Sequence, residues 1–216
     1  MLNVGLTGGI STGKTTIARL LVEKGAFLID LDEAAHQLQQ PDTEVWREIV
    51  ATFGENILNP DRTIDRNKLG IMVFSDSEKL KRLNEIMHPA VFRTWKKRMA
   101  EIKSQRPDAI VLTDIPLLIE IGAQERFDLV LLVYIPPEDQ LKRLILRNGY
   151  SREYAEKRIA SQMSIEEKVK YARIVIDNQG SIEEAEERVD EAWQELLRLE
   201  KNKREKNSLE QRRLRT

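Results

Sequence analysis

Two rhythms of apolar residues alternate along the chain. Leu2 to Leu6 form a short, nearly continuous apolar stretch, whereas Thr15 to Lys24 carry Ile17, Leu20 and Leu21 on one face of a 3.6-residue period. The first reads as a buried strand and the second as a helix. Further β-branched or aliphatic stretches at 27–30, 109–113, 129–135 and 174–176 read as four more strands. The segment from Ile182 to about Leu199 sets Ala185, Val189, Ala192, Trp193 and Leu196 on one side, as expected of a helix that packs against a sheet. Continuous apolar strands separated by helical pattern belong in a parallel sheet covered on both faces. The expected fold is therefore α/β, a doubly wound five-stranded parallel sheet. Its ligands should bind beyond the carboxyl ends of the strands.

Two long stretches lack strand pattern. Residues 32–107 read as a helical insertion, and 138–171 read as a helical lid. The nucleotide-binding core is then expected from 1–31, 108–137 and 172–200. The remainder, 201–216, is rich in charges of both signs and poor in apolar residues, so a frayed or disordered tail is expected there.

Composition narrows the setting. The 216 residues are 41% hydrophobic and 33% charged, with no apolar run of membrane-spanning length, which fits one soluble domain with inserted pieces. A formal net charge of −1 gives no general attraction to nucleic acid, and the absence of cysteine rules out disulfides and thiolate metal sites. A glycine-rich loop begins where a signal peptide would have to lie. A cytoplasmic monomer with neither nucleic-acid nor membrane partners is expected.

That loop, GLTGGISTGKTT at residues 5–16, matches G-x-x-x-x-G-K-[ST] through Gly8, Gly13, Lys14 and Thr15, between a strand and a helix. Its backbone N–H groups and the helix N-terminus suit phosphate oxygens. Lys14 reaches the β and γ phosphates of ATP, and the Thr15 hydroxyl ligates Mg²⁺. Gly9, Ser11, Thr12, Gly13, Lys14, Thr15 and Thr16 are the candidate ATP contacts in the loop.

Other candidates end strands. In LIDLDEAAH, Asp32 is a candidate general base for an alcohol acceptor, although an aspartate there also suits the N-cap of a helix starting at Glu33. Asp30 is expected at the loop or the metal. In LTDIPLLIE, Asp114 stands where phosphate-loop proteins place a carboxylate near the Mg²⁺ shell, contacting the ion through water. Pro116, Leu117 and Leu118 after it offer an apolar surface that suits either a substrate or the core. Arg143 and Arg147, one helical turn apart, either close on a nucleotide or form a solvated face. Asn178 lies near the nucleotide rim. The stretch Asp177-Asn178-Gln179-Gly180 fits D-x-x-G, but it follows the last strand with no N-K-x-D partner, which argues against a GTPase.

Taken in order, the loop, LIDLDEAAH, IDRNKLGIMVF, IMHPAV, TDIPLLIE, the arginine helix, RIASQM and VIDNQGS resemble the segments of the dephospho-coenzyme A kinase family across most of residues 4–181. The combination of HPAV with DIPLLIE is much more specific than the loop. The resemblance implies transfer of the ATP γ phosphoryl to the ribose 3′-hydroxyl of dephospho-coenzyme A, with Mg²⁺ as cofactor. It implies Asp32 as the catalytic aspartate, assisted by Lys14 and by Arg147 of the lid. It makes residues 32–107 the acceptor-binding part, and Thr7, Asp32, Arg66, His88, Pro116, Leu117 and Leu118 are the implied acceptor-binding residues, with His88 fixing a turn. Ser11-Thr12 stand where the family often has Gly-Ser, and His36 where arginine is frequent. Two other readings use the same loop: a nucleoside monophosphate kinase, whose phosphate acceptor needs arginine clamps more than a base, and a nucleotide-dependent switch without turnover.

Overall fold

A computed structural model describes residues 1–213. Five strands, β1 (Leu2–Gly8), β2 (Phe27–Asp30), β3 (Ile110–Asp114), β4 (Leu129–Tyr134) and β5 (Ile174–Asp177), form one sheet in the order β2-β3-β1-β4-β5. β1 is central and parallel to both neighbours, with Val4 opposite Leu112 on one side and Leu129 on the other. β4 and β5 are parallel as well. The chain leaves β1 through α1 (Lys14–Glu23) towards β2 and leaves β4 through α6 (Pro137–Asn148) towards β5. These departures in opposite directions open a crevice at the carboxyl ends of β1 and β4.

The alternation of side chains along β1 explains how the sheet is covered. Leu2, Val4 and Leu6 are buried with Ile17, Leu20 and Leu21 of α1 and with Ala185, Val189, Ala192 and Leu196 of α9 (Ile182–Arg213). On the opposite face lies Gly5, where a Cβ would come within 2.5 Å of Leu118 Cδ1, so only glycine lets this connection approach β1. Leu118 and Ile119 there join Val130 in a smaller core, with Phe127, Met163 and Ala172 at its edge. Between β4 and β5 run α6, α7 (Arg152–Ala160) and α8 (Ile165–Val169). Ser151 and Ser164 cap α7 and α8 by accepting from the N–H groups of Tyr154 and Glu167.

The chain divides into two compact units, Met1–Ile29 with Ile102 onward, and Asp30–Glu101. The second is helical: α2 (Leu31–Leu38), α3 (Glu44–Phe53), α4 (Arg66–Phe74) and most of α5 (Ser77–Gln105). Its core gathers Val45, Trp46, Ile49, Ile57, Leu69, Val73, Ile86 and Ala90. Asp30, Thr43 and Asp65 cap α2, α3 and α4 through their side-chain oxygens.

Two expectations about elements change. IMHPAV is not a turn; it lies inside the 29-residue α5, with Pro89 in the helix interior. Proline there removes one N–H bond, but Ile86 and Ala90 on either side are 5% and 3% exposed, and their burial keeps the helix continuous. The last helix does not stop near Leu199 but reaches Arg213. Residues 201–213 of the charged tail are thus helical, and 214–216 lie outside the described residues. Strong helix formers and the Arg204–Glu200 pair favour this continuation, as does Lys203, whose ammonium meets Asp128 at 2.5 Å.

Leu131, at the middle of β4, is fully buried. Leu131→Ala should cost about 2–5 kcal/mol of stability, seen as a lower urea midpoint with an unchanged denaturant slope.

Candidate active site

β1 ends at Gly8, and the backbone then turns through the phosphate loop into α1. Gly13, with φ +84°, is the N-cap residue of α1, and its carbonyl accepts from the N–H groups of Thr16 (2.9 Å) and Ile17 (3.2 Å). A side chain at Gly13 would be strained by that φ, and its Cβ would lie 2.2 Å from Asn178 Nδ2. Ser11 also takes a left-handed conformation, with φ +60°. Its hydroxyl is buried and has no hydrogen-bond partner among the described residues. The loop surrounds a cleft of about 270 Å³ lined by residues Gly8 to Thr15 together with Pro116, Arg147 and Gln162. Lys14 projects its ammonium to the carboxylate of Asp114, the last residue of β3. A left-handed turn capping a helix, an unengaged hydroxyl and a lysine in one concave site are what a polyphosphate requires.

Several nearby residues brace the loop. Thr12, 1% exposed, donates its hydroxyl to the Gly9 carbonyl at 2.9 Å. Asn178, expected at the nucleotide, instead donates its side-chain N–H to the Thr12 carbonyl at 2.8 Å. Its own carbonyl accepts from Arg143 at 2.9 Å. Two glutamines that sequence reasoning missed hold Ile10 from both sides. Gln140 Nε2 donates to the Ile10 carbonyl (2.9 Å), and the Ile10 N–H donates to Gln162 Oε1 (3.0 Å). The only available signal was the position of Gln162 inside RIASQM.

Arg143 and Arg147 of α6, with Leu146, line a second opening of about 280 Å³ beside Ser11 and Gly13. The two arginines therefore share a wall with the loop. The Arg147 guanidinium is exposed and donates to the Asn148 side chain at 2.9 Å.

Of the acceptor candidates in the first unit, Pro116 lines the phosphate cleft and Leu117 is 42% exposed. Two others are displaced from any contact with a substrate. Thr7 is fully buried and donates its hydroxyl to the Pro116 carbonyl at 3.0 Å. Leu118 is fully buried in the core against Gly5 and Val130, leaving no surface for a ligand.

The second unit carries its own cleft, of about 550 Å³. Asp32, His36 and Arg66 form its polar end, and Leu69, Val73, Phe74, Leu80 and Leu83 supply an apolar wall. The structure settles which aspartate caps α2. The helix starts at Leu31, and the Asp30 carboxylate accepts from the Glu33 N–H at 2.9 Å. Asp30 is thus the cap, and Asp32 lies two residues further on, in the first turn of α2, where it is exposed. The Arg66 guanidinium of α4 meets His36 Nε2 of α2. His88 stands apart from this group. It is exposed on α5 and lines a second hollow, which shares Leu80 and Asn84 with this cleft.

Mg²⁺ fits the first unit only in company with a nucleotide. Among the described residues no three His, Cys, Asp or Glu side chains gather as a metal cage. Thr15 lines the cleft, and the Asp114 carboxylate at the end of β3 meets the neighbouring Lys14. One hydroxyl and one carboxylate, completed by phosphate oxygens and water, suit Mg²⁺, which seldom occupies an all-protein cage. No helix among the described residues is long and apolar enough to cross a membrane.

Sheet order and loop geometry together define a phosphate-loop nucleotide-binding protein of the small-molecule kinase type. Comparison with known proteins makes this specific. The family model described as dephospho-CoA kinase matches residues 2–184. A dephospho-CoA kinase of Syntrophus aciditrophicus is 55% identical over 204 residues, covering 94% of this chain and 87% of its own. Among solved structures, a dephospho-CoA kinase from Campylobacter jejuni superposes with a TM-score of 0.68 at 30% identity, covering 90% of this chain and 96% of its own. A Thermus thermophilus protein superposes with a TM-score of 0.74 at 35% identity, covering 88% and 94%. The chain belongs to the dephospho-CoA kinase family.

Gly13→Ala should weaken ADP binding at least about tenfold, as read by titration calorimetry, and lower the unfolding temperature, because a left-handed alanine costs roughly 1–2 kcal/mol.

Proposed function

We propose that this chain transfers the γ phosphoryl of ATP to the ribose 3′-hydroxyl of dephospho-CoA, giving CoA and ADP, the last step of CoA biosynthesis. The observation that carries the reading is the complete phosphate loop at the end of β1, with Lys14 among the residues lining its cleft, in a chain of this family. Lys14 holds the β and γ phosphates as a point charge, while Ser11 and the loop backbone donate to their oxygens. Thr15, with Asp114 behind a water, would hold the Mg²⁺ whose charge offsets that on the phosphates.

Asp32 accepts the proton of the 3′-hydroxyl as its oxygen bonds to the γ phosphorus and the bond to the ADP oxygen breaks. The cleft of the second unit takes the acceptor. There Arg66, steadied by His36, suits an anionic group, and the apolar wall suits an uncharged arm. Because a γ phosphate open to water would be hydrolysed wastefully, residues 138–171 act as a lid that brings Arg143 and Arg147 over the nucleotide. The enzyme works as a cytoplasmic monomer with no nucleic-acid partner.

ADP release measured with dephospho-CoA, with AMP and with no acceptor tests the reading. Turnover is expected only with dephospho-CoA. Release with AMP would indicate a nucleoside monophosphate kinase, and absence of release with any acceptor would indicate a switch. Asp32→Asn should keep ADP affinity and lower turnover by roughly 10²-fold or more; near wild-type turnover would remove Asp32 from the catalytic role. Hydrogen exchange across residues 142–163 should slow on adding an ATP analogue with Mg²⁺, and Arg147→Ala should abolish most of that slowing. Equal exchange with and without nucleotide would make the segment a fixed layer and not a lid.

A further inference from the structure

Lys168 in α8 is a titratable group for which the phosphoryl transfer above has no use, yet its side chain is fully buried. A buried ammonium persists only where partners offset its loss of hydration. Here Nζ meets Glu120 Oε1 at 2.8 Å and donates to the Pro116 carbonyl at 3.3 Å. Glu120 Oε1 also accepts from the Met163 N–H at 3.1 Å. Glu120 Oε2 is buried and has no hydrogen-bond partner among the described residues, so the carboxylate relies on these contacts through its other oxygen.

Both ends of this network reach the phosphate cleft. Met163 adjoins Gln162, whose Oε1 accepts from the Ile10 N–H at 3.0 Å in the phosphate loop. Pro116, whose carbonyl Lys168 shares with the Thr7 hydroxyl, forms a wall of the same cleft. We propose that the buried Lys168–Glu120 pair is a positioning device for the phosphate loop. It fixes the backbone at Met163 so that Gln162 grips Ile10, and it thereby sets nucleotide affinity without touching the nucleotide. The Ile10 side chain packs against the cluster of Leu141, Leu144 and Ala155 between α6 and α7.

The inference rests on the proposed reading that this cleft binds ATP. The test therefore begins with Mg-ADP binding to the full-length wild-type protein by calorimetry, without acceptor. Failure of wild type to bind would overturn the reading itself. Given binding, Gln162→Ala should raise the ADP Kd about 10-fold, the scale expected for loss of one well-placed hydrogen bond. Lys168→Met combined with Glu120→Gln, which removes both charges together, should raise it similarly. The triple variant should show about 10-fold and not the roughly 100-fold of independent effects, because all three changes act on one route. The Kd for dephospho-CoA should stay at the wild-type value throughout.

A merely structural pair would lower the unfolding temperature while leaving the ADP Kd of the folded protein unchanged, and that result overturns the proposal. So does full multiplicativity in the triple variant. If the charge-neutral pair does not fold, Glu120→Gln alone decides. It keeps the size of the side chain but removes the charge that anchors the ammonium, and an unshifted ADP Kd in that variant refutes the positioning role.

Discussion

A loop that binds phosphate through its backbone must keep its N–H groups aimed at the ligand, so its shape has to be imposed by neighbours. Here the imposition comes from behind the loop. Asn178 holds the Thr12 carbonyl, Gln140 and Gln162 hold the two polar groups of Ile10, and the Thr12 hydroxyl holds the Gly9 carbonyl. The Lys14 ammonium is likewise held in place by Asp114 at the end of β3.

The parallel sheet makes this convergence possible. Asn178 follows β5, Gln140 lies in the first turns of α6 after β4, and Asp114 closes β3, so the carboxyl ends of three strands deliver side chains to the loop that follows a fourth. Burial of Leu6, Leu131 and Val133 holds those strand ends in register. Loss of core packing would therefore loosen the site even where no site residue is altered. The acceptor cleft is built differently, on helices whose own core is formed by Trp46, Ile49, Leu69, Val73 and Ile86.

What could be read in the sequence was what lies contiguous in it. The phosphate loop announced itself because glycines, Lys14 and Thr15 are consecutive or nearly so, and the strands were legible because each is a short apolar run. The clamps were not legible, since Gln162 and Asn178 reach residues more than a hundred positions away, and a glutamine in a polar bend after a helix carries no local mark of such a role. Similar ambiguity blurred the acidic pair. Asp30 and Asp32 both suit an N-cap, and only the observed start of α2 at Leu31 decides between them. Pro89 and the charged tail misled for another reason: both are compositional signals for chain breaks, outweighed in one case by buried neighbours and in the other by helix-forming residues and ion pairs. Thr7 and Leu118 lie in motifs that border the site, but their side chains turn into the protein.

Ser11 shows what the clamped loop means for binding. A non-glycine residue at φ +60° sits in a sparsely populated conformation, and it stays there because the surrounding contacts leave the chain no easier path. The strain of this turn is therefore present in the folded protein before any ligand binds. A ligand meeting a turn already shaped in this way gives up less of its interaction energy to organising the protein.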